Sequence, residues 1–189
     1  MPPRPGELRI IGGEWRSRKL PIADVPGLRP STDRVRETLF NWLQADIAGA
    51  RCLDLFAGSG ALGFEAASRG AREVVLVESD VRAQANLASN IVLLQARQVQ
   101  LVRSDAMNWL QQATGSFDVV FIDPPYASQL LAPSCTLLEQ RHLLAPQAKI
   151  YLEYPAQYEL PQLPVNWQII RGKKAGQVGY YLALRDDRG

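Results

Sequence analysis

Apolar residues along this chain follow two alternating periods. Short strand-like runs at 51–56, 73–77, 98–103, 117–122 and 148–154 alternate with segments whose apolar positions fall three and four apart. Val74-Val75-Leu76-Val77 and Val119-Val120-Phe121-Ile122 are apolar at every position, as strands covered on both faces must be. This alternation predicts a parallel sheet with helices on both sides. Two later segments, Trp167 to Arg171 and Gln177 to Leu184, are joined by a turn rich in Gly and Lys. No helix separates them, so they are expected to pair antiparallel at one edge. Near the start, Leu8 to Ile11 and Trp15 to Leu20 flank Gly12-Gly13 and read as a β-hairpin. Thr32 or Asp33 then caps a helix in which Val35, Leu39, Trp42, Leu43 and Ile47 recur at helical spacing. Pro2, Pro3, Pro5 and Gly6 are expected to leave the first residues irregular. With no internal repeat, the expectation is one domain over 1–189. Residues 1–30 would form an extension with the hairpin, and 31–189 a catalytic body.

The candidate chemistry sits where predicted strands end. Asp123-Pro124-Pro125-Tyr126 follows Phe117-Asp118-Val119-Val120-Phe121-Ile122 directly. As a bare sequence it is also an ordinary turn former. It suits methyl transfer to an amino nitrogen conjugated with a flat ring. Such a nitrogen is a poor nucleophile until acceptors hold its N–H bonds and turn its lone pair outward. Asp123 can accept through its carboxylate and Pro124 through its carbonyl, while the prolines fix φ and donate nothing. Tyr126 would stack on the ring and fix its plane. Upstream, Arg51-Cys52-Leu53-Asp54-Leu55-Phe56 leads into Ala57-Gly58-Ser59-Gly60-Ala61-Leu62-Gly63 and a helical pattern. Small residues there let a ligand press on bare backbone at a helix start. Gly58 to Gly63 also spells the G-x-G-x-x-G dinucleotide pattern, with Glu78 at the distance of a ribose-binding acid. Asp54 tips the balance: it would repel a pyrophosphate but suits the cationic amino acid end of S-adenosylmethionine. Glu78 is then read as the ribose acceptor. Asp105, beside Ala106 after the third strand, can serve the adenine amino group and cap the next helix as well.

Composition sets bounds. A chain of 189 residues with 47% hydrophobic content suits one domain with a proper core. No apolar run reaches the length of a membrane span, and no secretory signal opens the chain. Cys52 and Cys135 lack a C-x-x-C spacing and read as reduced thiols, so a cytoplasmic location without membrane association is expected. The single histidine, His142, reads as a surface or capping residue, and no metal site is expected. Net charge is only +2, but it is unevenly spread. Residues 1–36 hold eight Arg or Lys against four acids, 171–189 five against two, and 37–170 eight against thirteen. Arg4, Arg9, Arg16, Arg18, Lys19, Arg29, Arg171, Lys173 and Lys174 could neutralise several phosphates, with Trp15 among them to stack on an unpaired base.

Taken together these residues resemble the RsmD family of ribosomal RNA methyltransferases. The likeness covers nearly the whole chain. It includes Arg9-Ile10-Ile11-Gly12-Gly13 with Trp15 and Arg16, the stretch Arg29 to Leu43, Leu53 to Gly60, Asp123 to Tyr126, and Gly176-Gln177-Val178-Gly179-Tyr180-Tyr181. The resemblance implies a Rossmann-like class I methyltransferase with a mostly parallel seven-stranded sheet and helices on both faces. It implies S-adenosylmethionine as cofactor, with Thr32, Arg34, Asp54, Gly58, Ser59, Gly60, Glu78, Asp105 and Ala106 around it. Asp123, Pro124 and Tyr126 would be catalytic. Arg9, Trp15, Arg16, Arg18, Lys19, Lys173 and Lys174 would bind RNA. The implied target is the N2 amine of one guanine, position 966, in the RNA of the small ribosomal subunit or its assembly intermediate. A monomer is expected.

Rival readings have less support. A DNA adenine or cytosine methyltransferase uses the same tetrapeptide, but about 35 residues ahead of the first core helix leave little room for target recognition. A protein glutamine methyltransferase commonly carries Asn where this chain has Asp123. An NAD-dependent oxidoreductase or an RNA chaperone does not account for Asp54 and the Asp123 motif together.

Overall fold

The computed structural model describes residues 6–28, 30–125 and 128–187. Among the described residues there are nine strands and five helices, alternating through the middle of the chain as the hydrophobic pattern predicts. In chain order they are β1 Glu7–Arg9, β2 Lys19–Pro21, α1 Asp33–Trp42, β3 Arg51–Asp54, α2 Ala61–Ser68, β4 Glu73–Glu78, α3 Val81–Leu94, β5 Val99–Arg103, α4 Ala106–Gln112, β6 Phe117–Ile122, α5 Leu131–Gln140, β7 Leu144–Pro155, β8 Trp167–Ala175 and β9 Val178–Arg185.

Seven strands form one sheet in the order β5-β4-β3-β6-β7-β9-β8. The first five run parallel, while β9 lies antiparallel between β7 and the edge strand β8. Strand periodicity divides the core into two layers. Cys52, Val74, Leu76, Val119, Phe121 and Tyr151 face the side covered by the hairpin, α1, α2 and α3. Leu53, Val75, Val77, Val120, Ile122 and Leu152 face α4 and α5. Cys52 and Cys135 are free and buried in different layers, and burial pushes each thiol up to about 12.

The expected hairpin is present but shorter in its strands. Only three residue pairs join β1 to β2, centred on Leu8 opposite Leu20, and the chain between them is mostly turn. Trp15, expected in a strand, lies in that turn. Leu8, Ile10, Trp15 and Leu20 are all buried, so the hairpin is part of the core and not a detachable arm. Gly13 explains how closely it packs. At φ 78°, its Cβ position lies 1.9 Å from the Ser68 carbonyl oxygen, which only glycine permits.

One carboxylate locks this packing. Glu65 is fully buried on α2 and accepts from Ile11 N–H at 3.0 Å, Gly12 N–H at 2.8 Å, Arg69 at 2.9 Å and Arg36 at 3.4 Å. Arg36 is itself 1% exposed on α1 and donates to the Arg9 and Ser31 carbonyls and to Asp33. Its pKa is lowered by burial, with Glu65 and Asp33 pulling it back up. Removing the acceptor takes one of two carboxylate partners from the buried Arg36 and leaves the part-buried Ile11 and Gly12 N–H groups unpaired. Glu65→Ala is therefore expected to cost about 3–5 kcal/mol of folding free energy. Glu65→Gln should cost less, because an amide oxygen still accepts. Denaturant unfolding of both variants measures this. A loss below about 1 kcal/mol in Glu65→Ala would show that the hairpin docks through apolar contact alone.

Candidate active site

The winding of the sheet reverses between β3 and β6, and an open parallel sheet leaves a crevice at such a point, outside the carboxyl ends of its strands. Four acids stand along that edge: Glu78 ending β4, Asp54 ending β3, Asp123 just past β6, and Glu153 near the end of β7. Strand periodicity puts them all on the side of α1 and α2.

The loop from Leu55 to Gly60 turns into α2 with Gly60 as its N-cap. Gly60 has φ 80°, and a Cβ there would lie 2.5 Å from the Phe64 ring. Its N–H donors are largely engaged. Gly58 donates to Glu78 at 2.7 Å, Gly60 to the Ala57 carbonyl at 2.7 Å and Gly63 to Asp54 at 3.0 Å. With the Gly58, Gly60 and Gly63 N–H groups occupied and the Glu78 carboxylate beside the loop, the site is poorly suited to a pyrophosphate.

Glu78 also accepts from Asp80 N–H at 3.0 Å. Both oxygens are thereby oriented, and each keeps a lone pair for a ligand. Asp54 does not line the crevice openly. It is 2% exposed beneath the loop, where desolvation raises its pKa to about 8 against the pull of the Gly63 N–H, and Glu78 adds to the rise. It acts on the site from below and braces α2, so direct contact with a ligand ammonium is not its observed role. Ser59 is buried, Gly58 half-buried and Ala106 buried. Asp105 caps α4 by accepting from Asn108 N–H at 3.0 Å. Thr32 caps α1 through Val35 N–H at 3.3 Å, and Arg34 stands exposed on its first turn.

Asp123 lies at the mouth of a pocket lined by Pro124, Ser128, Glu153, Tyr154 and Val178. Ser128 N–H donates to the Pro125 carbonyl at 3.0 Å and closes the turn, while the Ser128 hydroxyl oxygen is buried with no partner among the described residues. Tyr126, expected to stack on a base, lies outside the described residues. Desolvation first, then the charge and hydrogen bond of Glu153, then Asp54, push the Asp123 carboxyl well above the usual range. Glu153 also accepts from the Tyr151 hydroxyl at 2.5 Å and the Ser31 hydroxyl at 3.2 Å. Glu153 is the residue that motif reading misses. Its signal was an acid ending a strand, alternating with Tyr151, as Asp54, Glu78 and Asp123 end theirs.

The basic residues divide into two groups. Arg9, Arg16, Arg18 and Lys19 are exposed on the hairpin; Arg9 meets Asp33 at 3.2 Å and Arg18 donates to the Leu93 carbonyl at 3.2 Å. Lys173 and Lys174 are exposed on β8, at the edge of the sheet opposite β5. Trp15 is only 5% exposed, so its ring is core and cannot stack on a base, and its backbone N–H donates to the Ser68 hydroxyl. Arg4 and Arg29 lie outside the described residues. Among the described residues, no cluster of three or more His, Cys, Asp or Glu could hold a metal ion, and no helix is long and apolar enough to cross a membrane.

Residues 8–184 match the model of the family described as conserved hypothetical protein 95. The chain is 50% identical over 184 residues to ribosomal RNA small subunit methyltransferase D of Escherichia coli strain K12, covering 97% of this chain and 93% of the relative. The protein of the same name in Haemophilus influenzae is 43% identical over 182 residues, covering 94% and 93%. Among solved structures, yhhF of Escherichia coli, described as a candidate methyltransferase, matches with a TM-score of 0.91 at 48% identity, over 97% of this chain and 100% of that one.

The state of Asp54 is testable through stability. Folded, it keeps its proton up to about 8; unfolded, an aspartate loses it near about 4. The unfolded chain therefore binds fewer protons between those values, and stability falls as pH rises through that window, then levels above it. Asn cannot titrate. The difference in unfolding free energy, wild type minus Asp54→Asn, is expected to fall from pH 4 to pH 8, by up to about 1.4 kcal/mol per unit. Denaturant titrations at unit pH steps would show it, and a flat difference would mean that Asp54 is ionised in the fold.

Proposed function

This chain belongs to the RsmD family of ribosomal RNA methyltransferases, and we propose that it transfers a methyl group from S-adenosylmethionine to the N2 amine of a guanine in small-subunit ribosomal RNA. The guanine proposed is the one that the family resemblance implies, position 966. The observation that carries this reading is the position of Asp123 and Pro124: they end the strand beside the glycine loop, across the crevice where the winding of the sheet reverses.

The residues of the crevice suit this cofactor. Its diol, amino group and positive sulfur call for acceptors and negative charge, and the carboxyl edge supplies both. Glu78 would accept from the ribose hydroxyls, with its oxygens already aimed by Gly58 and Asp80. Asp105 would take the adenine amino group beside Ala106, and Gly58, Ser59 and Gly60 would border the methionine end. Thr32 and Arg34 stand at the start of α1, where Arg34 could meet a carboxylate. Bound there, S-adenosylmethionine supplies an activated methyl group.

The protein then needs no metal and no covalent intermediate. Asp123 and the Pro124 carbonyl hold the N–H bonds of the target amine so that its lone pair points along the transfer line. Tyr126 stacks on the guanine. An amine inside paired RNA cannot enter, so the base is taken unpaired or flipped. Arg9, Arg16, Arg18, Lys19, Lys173 and Lys174 hold the phosphate backbone from two sides of the domain.

The direct experiment supplies radiolabelled methyl donor with DNA, free ribosomal RNA and small subunits, followed by nucleoside mass spectrometry. N2-methylguanosine in ribosomal RNA is expected. Label in DNA as N6-methyladenine, with RNA unmodified, would overturn the substrate. Glu78→Ala should weaken S-adenosylmethionine binding about ten- to a hundred-fold in calorimetry, for the loss of a charged acceptor. Unchanged binding would remove Glu78 from the cofactor site.

Because the hairpin is core, truncation would unfold the protein and cannot test RNA contact. Among the described residues, neutralising the exposed Arg16, Arg18 and Lys19 as Gln costs only two exposed contacts, Arg18 to the Leu93 carbonyl and Lys19 to Glu7. It should cut RNA affinity and flatten its salt dependence while donor affinity stays the same. An unchanged salt slope would place the RNA elsewhere.

A further inference from the structure

Asp123 has a carboxyl partner. Glu153 reaches it from the neighbouring strand β7, within hydrogen-bond distance, inside the same pocket. Two carboxyl oxygens at that separation repel unless a proton lies between them. The donors around the pair show where the negative charge rests. Glu153 Oε1 receives the Tyr151 hydroxyl at 2.5 Å and the Ser31 hydroxyl at 3.2 Å, from different elements, and Asp123 makes a third donor when it carries the proton. Among the described residues, nothing comparable is aimed at Asp123. The donors converging on Glu153 leave Asp123 as the carboxyl that carries the shared proton, with its other oxygen turned to accept an amine N–H. The remaining titratable groups facing the pair are Asp54 from β3 and, beyond Tyr151, Tyr180 from β9, which stands opposite Glu153.

Methylation of an amine leaves a proton to dispose of. The nitrogen gains a bond to carbon, becomes cationic and must lose one N–H. A protonated Asp123 cannot take that proton unless its own moves on, and Glu153 is placed to receive it. We propose that Glu153 is a positioning residue that lets Asp123 act as the base: the pair holds one proton in the free enzyme and takes up a second as the amine is methylated. The balance is as follows. The methyl carbon leaves sulfur, whose bonding electrons stay behind, and joins nitrogen. An N–H bond breaks as an O–H forms on the outer Asp123 oxygen, while the inner Asp123 O–H breaks and a Glu153 O–H forms. The pair returns a proton to water after product leaves. This rests on the methyl-transfer reading above and adds to it the destination of the proton.

The test is single-turnover methylation of small ribosomal subunits lacking the modification, at saturating S-adenosylmethionine and across pH. Glu153→Gln preserves shape but accepts no proton. Its rate is expected to fall about a hundredfold, the low end for general-base catalysis, with donor affinity within about twofold of wild type. Glu153→Asp should recover part of the loss. The pH profile separates this role from a structural one. In wild type the rate falls on the acid side as the pair takes a second proton before reaction. Tyr151→Phe removes a donor from the charged form, so this limb should move to higher pH. In Glu153→Gln, Tyr151 no longer faces a carboxylate that titrates, so adding Tyr151→Phe to that variant should move its limb no further. Full activity in Glu153→Gln, or a limb unmoved by Tyr151→Phe alone, would overturn the proposal while leaving methyl transfer in place. A wild-type protein that labels no RNA would instead defeat the reading beneath it. To guard against misfolding, infrared difference spectra of free protein should show a protonated-carboxyl band that Asp123→Asn removes and Cys135→Ser does not. Persistence of every such band in Asp123→Asn would also count against the pair.

Discussion

Glu65 is the constraint on which the amino-terminal third of this protein depends. It is a carboxylate with no exposed surface, and such a charge is tolerated only when its lone pairs are filled. The donors come from three separate parts of the chain: the backbone at Ile11 and Gly12, Arg36 on α1, and Arg69 one turn further along α2. Each that moves away leaves the buried carboxylate with fewer partners. The hairpin, the first helix and the sheet are thus held in one arrangement, with Gly13 letting the backbone close against Ser68.

From there the constraint reaches the active site through bonds that can be traced. Arg36 donates to the Ser31 carbonyl at 3.3 Å, and the Ser31 hydroxyl donates to Glu153 at 3.2 Å. Glu153 in turn meets Asp123. The segment before α1 is therefore tied at both ends, to the buried ion cluster and to the carboxyl pair. The amino-terminal extension is thereby fixed to the body of the domain, and its exposed basic side chains project from a packed base.

The crevice owes its character to where acids end strands. Parallel strands entering one edge bring Glu78, Asp54, Asp123 and Glu153 into line, and burial keeps water from screening them. Their environments differ. Glu78 is held by two backbone N–H groups. Asp54 has one such bond and is pushed up to about 8. Asp123 is driven higher than usual by burial and by its neighbour. Such a row is rich in hydrogen-bond acceptors and poorly suited to a phosphate. At the other end of the molecule an acid behaves oppositely. Burial would raise Glu139, but Arg185, Trp167 and Asn166 outweigh it and hold that carboxyl at about 2, tying α5 to β8 and β9.

Much of this was legible in the chain itself. Periods of two and of three to four placed the five parallel strands and their helices, because a strand buried on both faces must be apolar throughout and a helix on one face must not. The cap at Thr32, the glycine loop and the acids at strand ends could be read for the same local reason. Trp15 shows the limit: among charged neighbours it looked like an exposed ring, yet it is buried, because the packing of a short turn against α2 is settled by residues more than fifty positions away. Asp54 reads as a ligand contact but lies beneath the loop, since depth below a surface depends on what covers it. Glu153 carries no motif. Its meeting with Asp123 follows only from β6 and β7 lying side by side, and strand order is decided by long-range pairing, which no local pattern of residues encodes.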